Sequence, residues 1–181
     1  TSLDLSSLDT SNVTSMVSIF RGCSNLALLD LTSFDTSNVT TMQSMLYGCS
    51  GLTSLDLSPL DTSNVTNMDA MLCNCSSLTV LDLSSFNTSN VINMINMFNG
   101  GSSLTSLVIG SSVTSISSSA FNGCNKLSSI TSHSPYFTTI YNNKILVLNN
   151  NTIILATPAS LNGELIIPDN ITSIGDNGFN G

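Results

Sequence analysis

The sequence predicts an α/β repeat fold, a right-handed solenoid with short strands on one face and short helices or 3₁₀ turns on the other. Two observations support this prediction. The same residue types recur every 26 residues, which indicates a chain built from stacked units. Within each unit, apolar residues first alternate with polar ones and then recur at intervals of three and four, which are the periods of a strand and of a helix.

The repeat is visible as columns of matching residues spaced 26 positions apart. The clearest columns contain leucine, aspartate, asparagine and methionine. They are Leu3, Leu29, Leu55, Leu81 and Leu107; Asp4, Asp30, Asp56 and Asp82; Asn12, Asn38, Asn64 and Asn90; and Met16, Met42, Met68 and Met94. A single unit cannot cover its own apolar face, so equivalent segments should stack about 4.8 Å apart over a shared core.

Each unit is expected to contain one strand and one helical or turn segment. Leu29 and Leu31 are separated by one residue, which predicts a short strand with one face directed inward. The apolar residues of 38–46 are spaced three and four apart, which predicts a short helix or 3₁₀ turn that packs back on the core. Gly48 and Cys49 then turn the chain into the next strand.

The pattern changes after residue 110. A shorter unit, 113–124, recurs 58 residues later at 171–181. Between the two copies, Ile145–Leu148 and Ile153–Leu155 flank an Asn-rich segment, which is typical of a β-hairpin. We therefore divide the chain into 26-residue repeats at 1–110 and shorter repeats at 111–181, with a β-hairpin insert near 136–161. Because both ends fall inside repeats, we expect the chain to be a piece of a longer protein.

These residues resemble a known repeat family. The segment Leu52–Met68 is similar to the 26-residue repeat of bacterial surface lipoproteins and adhesins. The units at 113–124 and 167–175 resemble the BspA-type leucine-rich repeat, and 140–148 is similar to the hairpin insert of such proteins. The resemblance implies a bacterial leucine-rich-repeat protein, secreted or on the cell surface, that binds host proteins, matrix or other cells, and it implies no catalytic residues.

The composition excludes several classes of partner. The net charge is −8, and the chain has only three cationic side chains. A basic surface for nucleic acid or anionic lipid is therefore not expected. The sequence also lacks an apolar run of about 18 residues, so this segment should not insert into a membrane.

The first aspartate column is the strongest candidate site. Each of Asp4, Asp30, Asp56 and Asp82 lies between two inward leucines and should point outward, together with Ser54 and Ser58. Carboxylates about 5 Å apart repel each other by about 1 kcal/mol even in water-like surroundings. The column could be a ligand surface or a row of weak Ca²⁺ contacts; alternatively, its members could be solvated carboxylates bonded to nearby Ser and Thr. We predict no metal site, because a specific Ca²⁺ site needs six to eight oxygens.

The remaining columns predict structural roles. Asp9, Asp35, Asp61 and Asn87 suit capping or turns, and the asparagine column should bond to the backbone of adjacent units. Cysteines at one repeat position (Cys23, Cys49, Cys75 and Cys124) and the seven methionines should be buried without disulfides, whereas Cys73 should be exposed. The column Thr10, Thr36, Thr62 and Thr88 raises ice binding as a third alternative, because regular rows of threonine recur there.

The leading functional prediction is a cell-surface or secreted module for protein–protein or cell-adhesion interactions. Its partner would be a protein or glycan on host or neighbouring cells. The alternative is a structural stalk, or a self-assembling lattice or filament element of a larger surface protein. No catalytic residues and no cofactor are expected, because the chain has one histidine, His133, and no nucleophile elbow or phosphate-binding loop.

Overall fold

The structure, a computed structural model, describes residues 3–140, 142, 144–149, 152–156 and 167–175, with 152–156 described by their backbone alone. In this part of the chain, seven strands and one 3₁₀ helix, Ser118–Phe121, are formed. The strands are β1 Val80–Asp82, β2 Ser106–Ile109, β3 Ser129–Ser132, β4 Phe137–Ile140, β5 Ile145–Leu148, β6 Thr152–Ala156 and β7 Ser173–Ile174. Strands β1, β2 and β3 form one parallel sheet, and β4 to β7 form a second sheet in chain order.

Successive 26-residue repeats stack side by side. We call them rungs: residues 3–26, 27–52, 53–78 and 79–104 are rungs 1 to 4. Isolated parallel bridges join Ser15 to Thr41, Thr41 to Asn67, and Asn67 to Asn93, and in the first sheet Leu81 pairs with Leu107. Partners in all these pairs are 26 positions apart, so equivalent residues of neighbouring rungs are adjacent in space.

The rungs share one apolar core. A single cluster of buried side chains extends from Met16 in rung 1 to Leu146 in β5 and includes all seven methionines. In β1, Leu81 is 2% exposed and lies between two exposed neighbours, which is the inward–outward alternation of a strand. Because burial of a leucine side chain is worth about 1.5–3 kcal/mol, stacking gives each rung the apolar contacts that it cannot make alone.

The segment after each methionine column is not helical. Residues 43–48 form consecutive turns, in which Met45 and Tyr47 donate backbone bonds to the residues three positions earlier. The intervening N–H groups leave the rung: Ser44 donates to the Asp69 carbonyl at 2.9 Å. Of the two predicted alternatives for 38–46, the helix is therefore wrong, and isolated turns with the three-residue bond of a 3₁₀ helix are present.

Backbone conformation explains why no helix forms there. Ser44 has φ 54°, and the equivalent residues of the other rungs have the same left-handed conformation. They are Ser18 at φ 58°, Ala70 at 52° and Asn96 at 57°. A residue in the left-handed region ends a right-handed helix, and the N–H groups of alternate residues, Met42, Ser44 and Leu46, bond to the neighbouring rung instead.

The second sheet packs directly onto the end of the described stack. Strands β4 and β5 are antiparallel, as are β5 and β6, whereas β7 is parallel to β6. Leu146 joins the main core, while Ile145 and Val147 form a small second cluster with Ile140 and Ile171. The β5–β6 pair lies where the sequence indicates a hairpin, although its predicted turn residues 150 and 151 and the end of the insert at 157–161 lie outside the described residues.

No helix in the described residues combines the length and apolarity that crossing a bilayer requires.

Candidate functional site

The strand side of the stack, the face formed by the Leu-x-Leu segments, carries the predicted aspartate column. Asp4, Asp30, Asp56 and Asp82 are all exposed. Ser54 and Ser58 are exposed on either side of Asp56. The structure therefore places the six predicted site residues on one side of the core, where a partner can reach them.

Each aspartate of this column is held by the same local turn. The Oδ1 atom accepts the backbone N–H of the residue two positions later, which is the bond of an Asx turn. The donors are Ser6 at 3.0 Å, Thr32 at 2.9 Å, Ser58 at 2.9 Å and Ser84 at 2.7 Å. The four carboxylates are thus fixed in equivalent orientations, which agrees with the solvated, hydrogen-bonded alternative for this column.

These turns favour the ionised form of the carboxyls. At Asp4 and Asp56 the backbone N–H of the turn is the main cause of a lowered pKa. At Asp30 and Asp82 the main cause is the side-chain hydroxyl of the turn residue. All four groups therefore carry full negative charge at neutral pH.

Charge repulsion between rungs appears in the second acidic column instead of the first. Asp9 raises the pKa of Asp35, and Asp35 raises that of Asp61, although turn hydrogen bonds lower both values overall. The backbone here is tied closely to the next rung, since the Asp35 N–H donates to Thr10 Oγ1 at 2.8 Å. Asp35 and Asp61 accept bonds from Ser37 and Ser63, which confirms the predicted turn role of this column.

The strand side is not uniformly polar. Leu28 is 60% exposed and Val80 is 54% exposed, and they occupy the column of Ser54. Asp4 and Asp30 line one cleft of about 200 Å³ between rungs 1 and 2, together with Leu3, Leu5, Ser6, Thr32 and Ser33. Asp56 and Asp82 do not line this cleft. The face therefore combines carboxylates with isolated apolar side chains.

The threonine column is buried. Thr10, Thr36, Thr62 and Thr88 are each 2% exposed. The Thr62 hydroxyl donates to the Asn87 carbonyl at 3.1 Å and accepts the Asn87 N–H at 2.8 Å. These hydroxyls connect neighbouring rungs, so they form no surface array, and this column gives no support to the ice-binding alternative.

The asparagine column also joins rungs. Asn38, Asn64 and Asn90 each donate a side-chain amide bond of 2.7–2.8 Å to a carbonyl of the preceding rung. The acceptors are Ser11, Ser37 and Ser63. The prediction that this column bonds to the backbone of adjacent units is therefore confirmed.

The cysteines are free thiols; those of the repeat column are buried as expected at Cys49, Cys75 and Cys124, whereas Cys23 in rung 1 is only half-buried. Cys49, Cys75 and Cys124 donate to backbone carbonyls of the preceding rung at 3.0–3.2 Å. Burial raises their pKa values to about 11, about 12 and about 11, so they are poor nucleophiles at neutral pH. Cys73 is also buried, which corrects the expectation that it is exposed, because the side chain of Tyr47 from the preceding rung lies against its thiol.

The contact between one pair of side chains was not predicted from the sequence. The guanidinium of Arg21 lies over the ring of Tyr47, with 4.1 Å between Cζ and the ring centroid. The two residues are 26 positions apart, so the repeat spacing itself was the signal that they stack. This pair lies on the turn side, the face formed by the turns that follow the methionine columns.

The described residues contain no group of three or more His, Cys, Asp and Glu side chains that could hold a metal ion. His133 is exposed, and its backbone N–H donates to the Ile109 carbonyl.

Comparison with known proteins gives two family matches and one matching structure. Residues 1–111 match a family described as "Mycoplasma protein of unknown function, DUF285". Residues 91–180 match the BspA type leucine rich repeat region in six copies. Among curated proteins, none matches significantly.

The matching structure is a leucine rich cell surface protein from Faecalibacterium prausnitzii A2-165. It superimposes with a TM-score of 0.55 at 21% sequence identity, over 91% of this chain and 55% of that protein. This chain therefore spans about half of the length of its structural relative, and the likeness shows a shared repeat fold. The chain belongs to the DUF285 family over residues 1–111 and continues into a BspA-type leucine-rich-repeat region over residues 91–180.

Proposed function

We propose that this chain is a non-catalytic recognition module of a secreted or cell-surface protein, and that its strand side binds a protein or glycan on a host or neighbouring cell. The main support for the proposal is the arrangement of one row of aspartates, Asp4, Asp30, Asp56 and Asp82. Four exposed carboxylates are held by the same turn on successive rungs. Such an ordered row presents charge to a partner without a further loss of side-chain freedom.

In this proposal the rungs coil as a right-handed solenoid, with 26-residue repeats at 1–110 and BspA-type repeats at 111–181. The parallel bridges between rungs and the shared core support a coiled stack. The two family matches, 1–111 and 91–180, support a change of repeat type near residue 110. Solenoids offer extended faces that suit recognition of large partners.

An extracellular or cell-surface location is part of the proposal. Its support is the BspA-type repeat match and the description of the structural relative as a cell surface protein. The partner should present basic or hydrogen-bond-donating groups around small apolar spots. That chemistry complements the carboxylates together with exposed Leu28 and Val80, and charge complementarity of this kind sets specificity and association rate.

A charge-removing variant tests this site. Asp30→Asn, Asp56→Asn and Asp82→Asn combined should abolish binding to immobilised matrix proteins and to cell monolayers. Asparagine keeps the turn, because Asn87 makes the same turn bonds at the equivalent place in the second column. Loss of binding can then be attributed to loss of charge instead of loss of shape.

The second acidic column supplies a matched control. Asp9→Asn, Asp35→Asn and Asp61→Asn remove the same number of charges from another column. This variant should retain binding to the same matrix proteins and cells. If both variants bind like the parent, or both lose binding equally, the strand-side site is wrong.

The stalk or lattice alternative has its own support. Hydroxyl and amide bonds repeat between rungs at Thr10, Thr36, Thr62, Asn38, Asn64 and Asn90, and such regular connections suit a stiff spacer or a self-associating element. Electron microscopy distinguishes the two. Ordered filaments or arrays of the chain would favour the stalk, and separate particles would favour the recognition module.

A further inference from the structure

Two columns on the turn side hold a different residue in every rung. One holds Val17, Gln43, Asp69 and Ile95, and the other holds Arg21, Tyr47, Cys73 and Asn99. By contrast, the threonine and asparagine columns that join the rungs do not vary through rungs 1 to 4. Because a stack needs constant residues for its core and its connections, variable positions near the surface are where a rung can specialise for a partner.

The chain's one arginine lies in these columns as part of a stacked pair. Arg21 Cζ is 4.1 Å from the centroid of the Tyr47 ring. At this distance the ring attracts the guanidinium through a cation–π interaction. We call the two side chains the Arg21–Tyr47 platform.

Rung 3 also contacts the platform. Asn74 Nδ2 donates to the Tyr47 hydroxyl at 3.2 Å, and the buried Cys73 thiol is a hydrogen-bond neighbour of the same tyrosine side chain. Three successive rungs therefore fix the ring on which the guanidinium lies. A site that is already ordered loses little conformational entropy when a ligand binds.

The guanidinium of the platform is not paired with an acid. Arg21 is exposed, and its guanidinium makes no ion pair with any described carboxylate. Asp69 and Arg21 act with opposite sign on the pKa of the Cys73 thiol, and Asp69 Oδ1 is buried with no hydrogen-bond partner among the described residues. The exposed guanidinium therefore remains available to a carboxylate from outside the chain.

We propose that the Arg21–Tyr47 platform is a second binding site, which takes the side-chain carboxylate of an aspartate or glutamate in a protein partner. A guanidinium stacked on an aromatic ring keeps its N–H edges free for the two parallel hydrogen bonds of a carboxylate. Arginine and tyrosine are also the residue types that most often dominate protein–protein binding energy. The site lies on the turn side and does not depend on the proposed strand-side function.

The small number of cations limits this site to one carboxylate of the partner at a time. A polyanion such as nucleic acid needs several cations, and rungs 1 to 4 contain only Arg21. The two acidic columns belong to other positions of the rung. A single acidic side chain flanked by neutral residues fits these conditions.

A solution titration tests the platform directly. N-acetylglutamate, added to the whole chain, should shift the NMR signals of the Arg21 side-chain N–H groups and the Tyr47 ring until the shift saturates. N-acetylglutamine, which has the same length without the charge, should give no saturable shift. Arg21→Gln should abolish the effect, and Arg21→Lys should weaken it about tenfold or more because the paired hydrogen bonds are lost.

Lys126 provides the control, since it is an exposed cation outside rungs 1 to 4. Lys126→Gln should leave the titration unchanged, and unperturbed backbone spectra should show that each variant is folded. The proposal is overturned if N-acetylglutamate gives no saturable shift, if chloride shifts Arg21 equally, or if a folded Arg21→Gln variant still shifts the Tyr47 ring.

Discussion

Single hydroxyl and amide groups join neighbouring rungs at regular intervals. Thr62 makes two bonds to the backbone of Asn87, and Asn64 donates to the Ser37 carbonyl at 2.7 Å. The roles of the leucine and asparagine columns could be predicted from the sequence, because each of these residue types suits a single role in the repeat: leucine the core, and asparagine a bond to the backbone. The buried role of the threonines could not, since a threonine hydroxyl suits a surface as well as a core bond, and only its partner decides.

Thr62→Val tests the buried hydroxyl. The substitution keeps the shape but removes both bonds to Asn87, and we expect it to lower the free energy of unfolding by about 1–3 kcal/mol. Thr66→Val is the matched control, because Thr66 is exposed and water can replace its one bond to the Thr40 carbonyl. Its effect should stay within about 0.5 kcal/mol. Equal losses in urea denaturation of both variants would contradict the inter-rung role.

The second acidic column predicts a pH dependence. The pKa values of Asp9, Asp35 and Asp61 lie below the usual 3.8 in the folded chain. A lowered folded-state pKa adds stability above the unfolded-state value and loses it as pH falls through the folded-state value. The parent should therefore become less stable below about pH 4.

Asp9→Asn, Asp35→Asn and Asp61→Asn combined should make that dependence shallower, because asparagine keeps the turns and does not titrate. At pH 7 the variant should be less stable than the parent, and the difference should shrink as the parent's aspartates become protonated at low pH. Urea midpoints measured at pH 7, 4 and 3 give both comparisons. If the urea midpoint of the variant fell with pH as steeply as that of the parent, these turns would not be the cause of the lowered pKa values.

The turn segment is the element that the sequence described least well. Its three-and-four spacing of apolar residues is shared by a helix and by successive turns that contain a left-handed residue. Ser18, Ser44 and Asn96 gave only a weak signal of that conformation, because serine also occurs within helices. The strand that precedes it was easier to predict, since alternation in Leu29–Leu31 has one simple structural explanation.

Ser18→Gly tests the left-handed position. Ser18 has φ 58°, a conformation that costs an L-residue about 1–2 kcal/mol. Glycine removes that cost but adds freedom to the unfolded chain, so we expect a net gain of roughly 0.5 kcal/mol. Ser118→Gly, in the right-handed 3₁₀ helix Ser118–Phe121, should instead lose about 0.5–1 kcal/mol. Thermal unfolding that moves both variants in the same direction would be inconsistent with this backbone assignment.

At the scale of the whole molecule, the period of 26 residues fixes which residues are neighbours. It placed the aspartate column on one side and could have revealed the Arg21–Tyr47 stack, since both follow from spacing alone. The second sheet was only partly foreseen. Strands β5 and β6 follow from their apolar runs, whereas the pairing of β7 with β6 depends on contacts between distant parts of the sequence.

Removal of one complete rung should preserve the fold. Deleting 53–78 joins Leu52 to Thr79, which is equivalent to the native junction of Leu52 and Thr53. The shortened chain should keep its circular dichroism spectrum and unfold with a smaller urea m-value, because less surface is buried. Deleting 53–65 removes half a rung, shifts every later column out of register, and should leave the chain largely unfolded. Folding of both variants would argue against in-register stacking.

The central claim is that backbone N–H groups of each turn segment bond to the next rung. NMR scalar couplings across hydrogen bonds measure this directly. A coupling between the amide nitrogen of Ser44 and the carbonyl carbon of Asp69 is predicted, with a second between Ala70 and Ile95, since both bonds are 2.9 Å long. A coupling from Ser44 to the carbonyl carbon of Thr40 would instead show a helix within the rung, and would contradict the account.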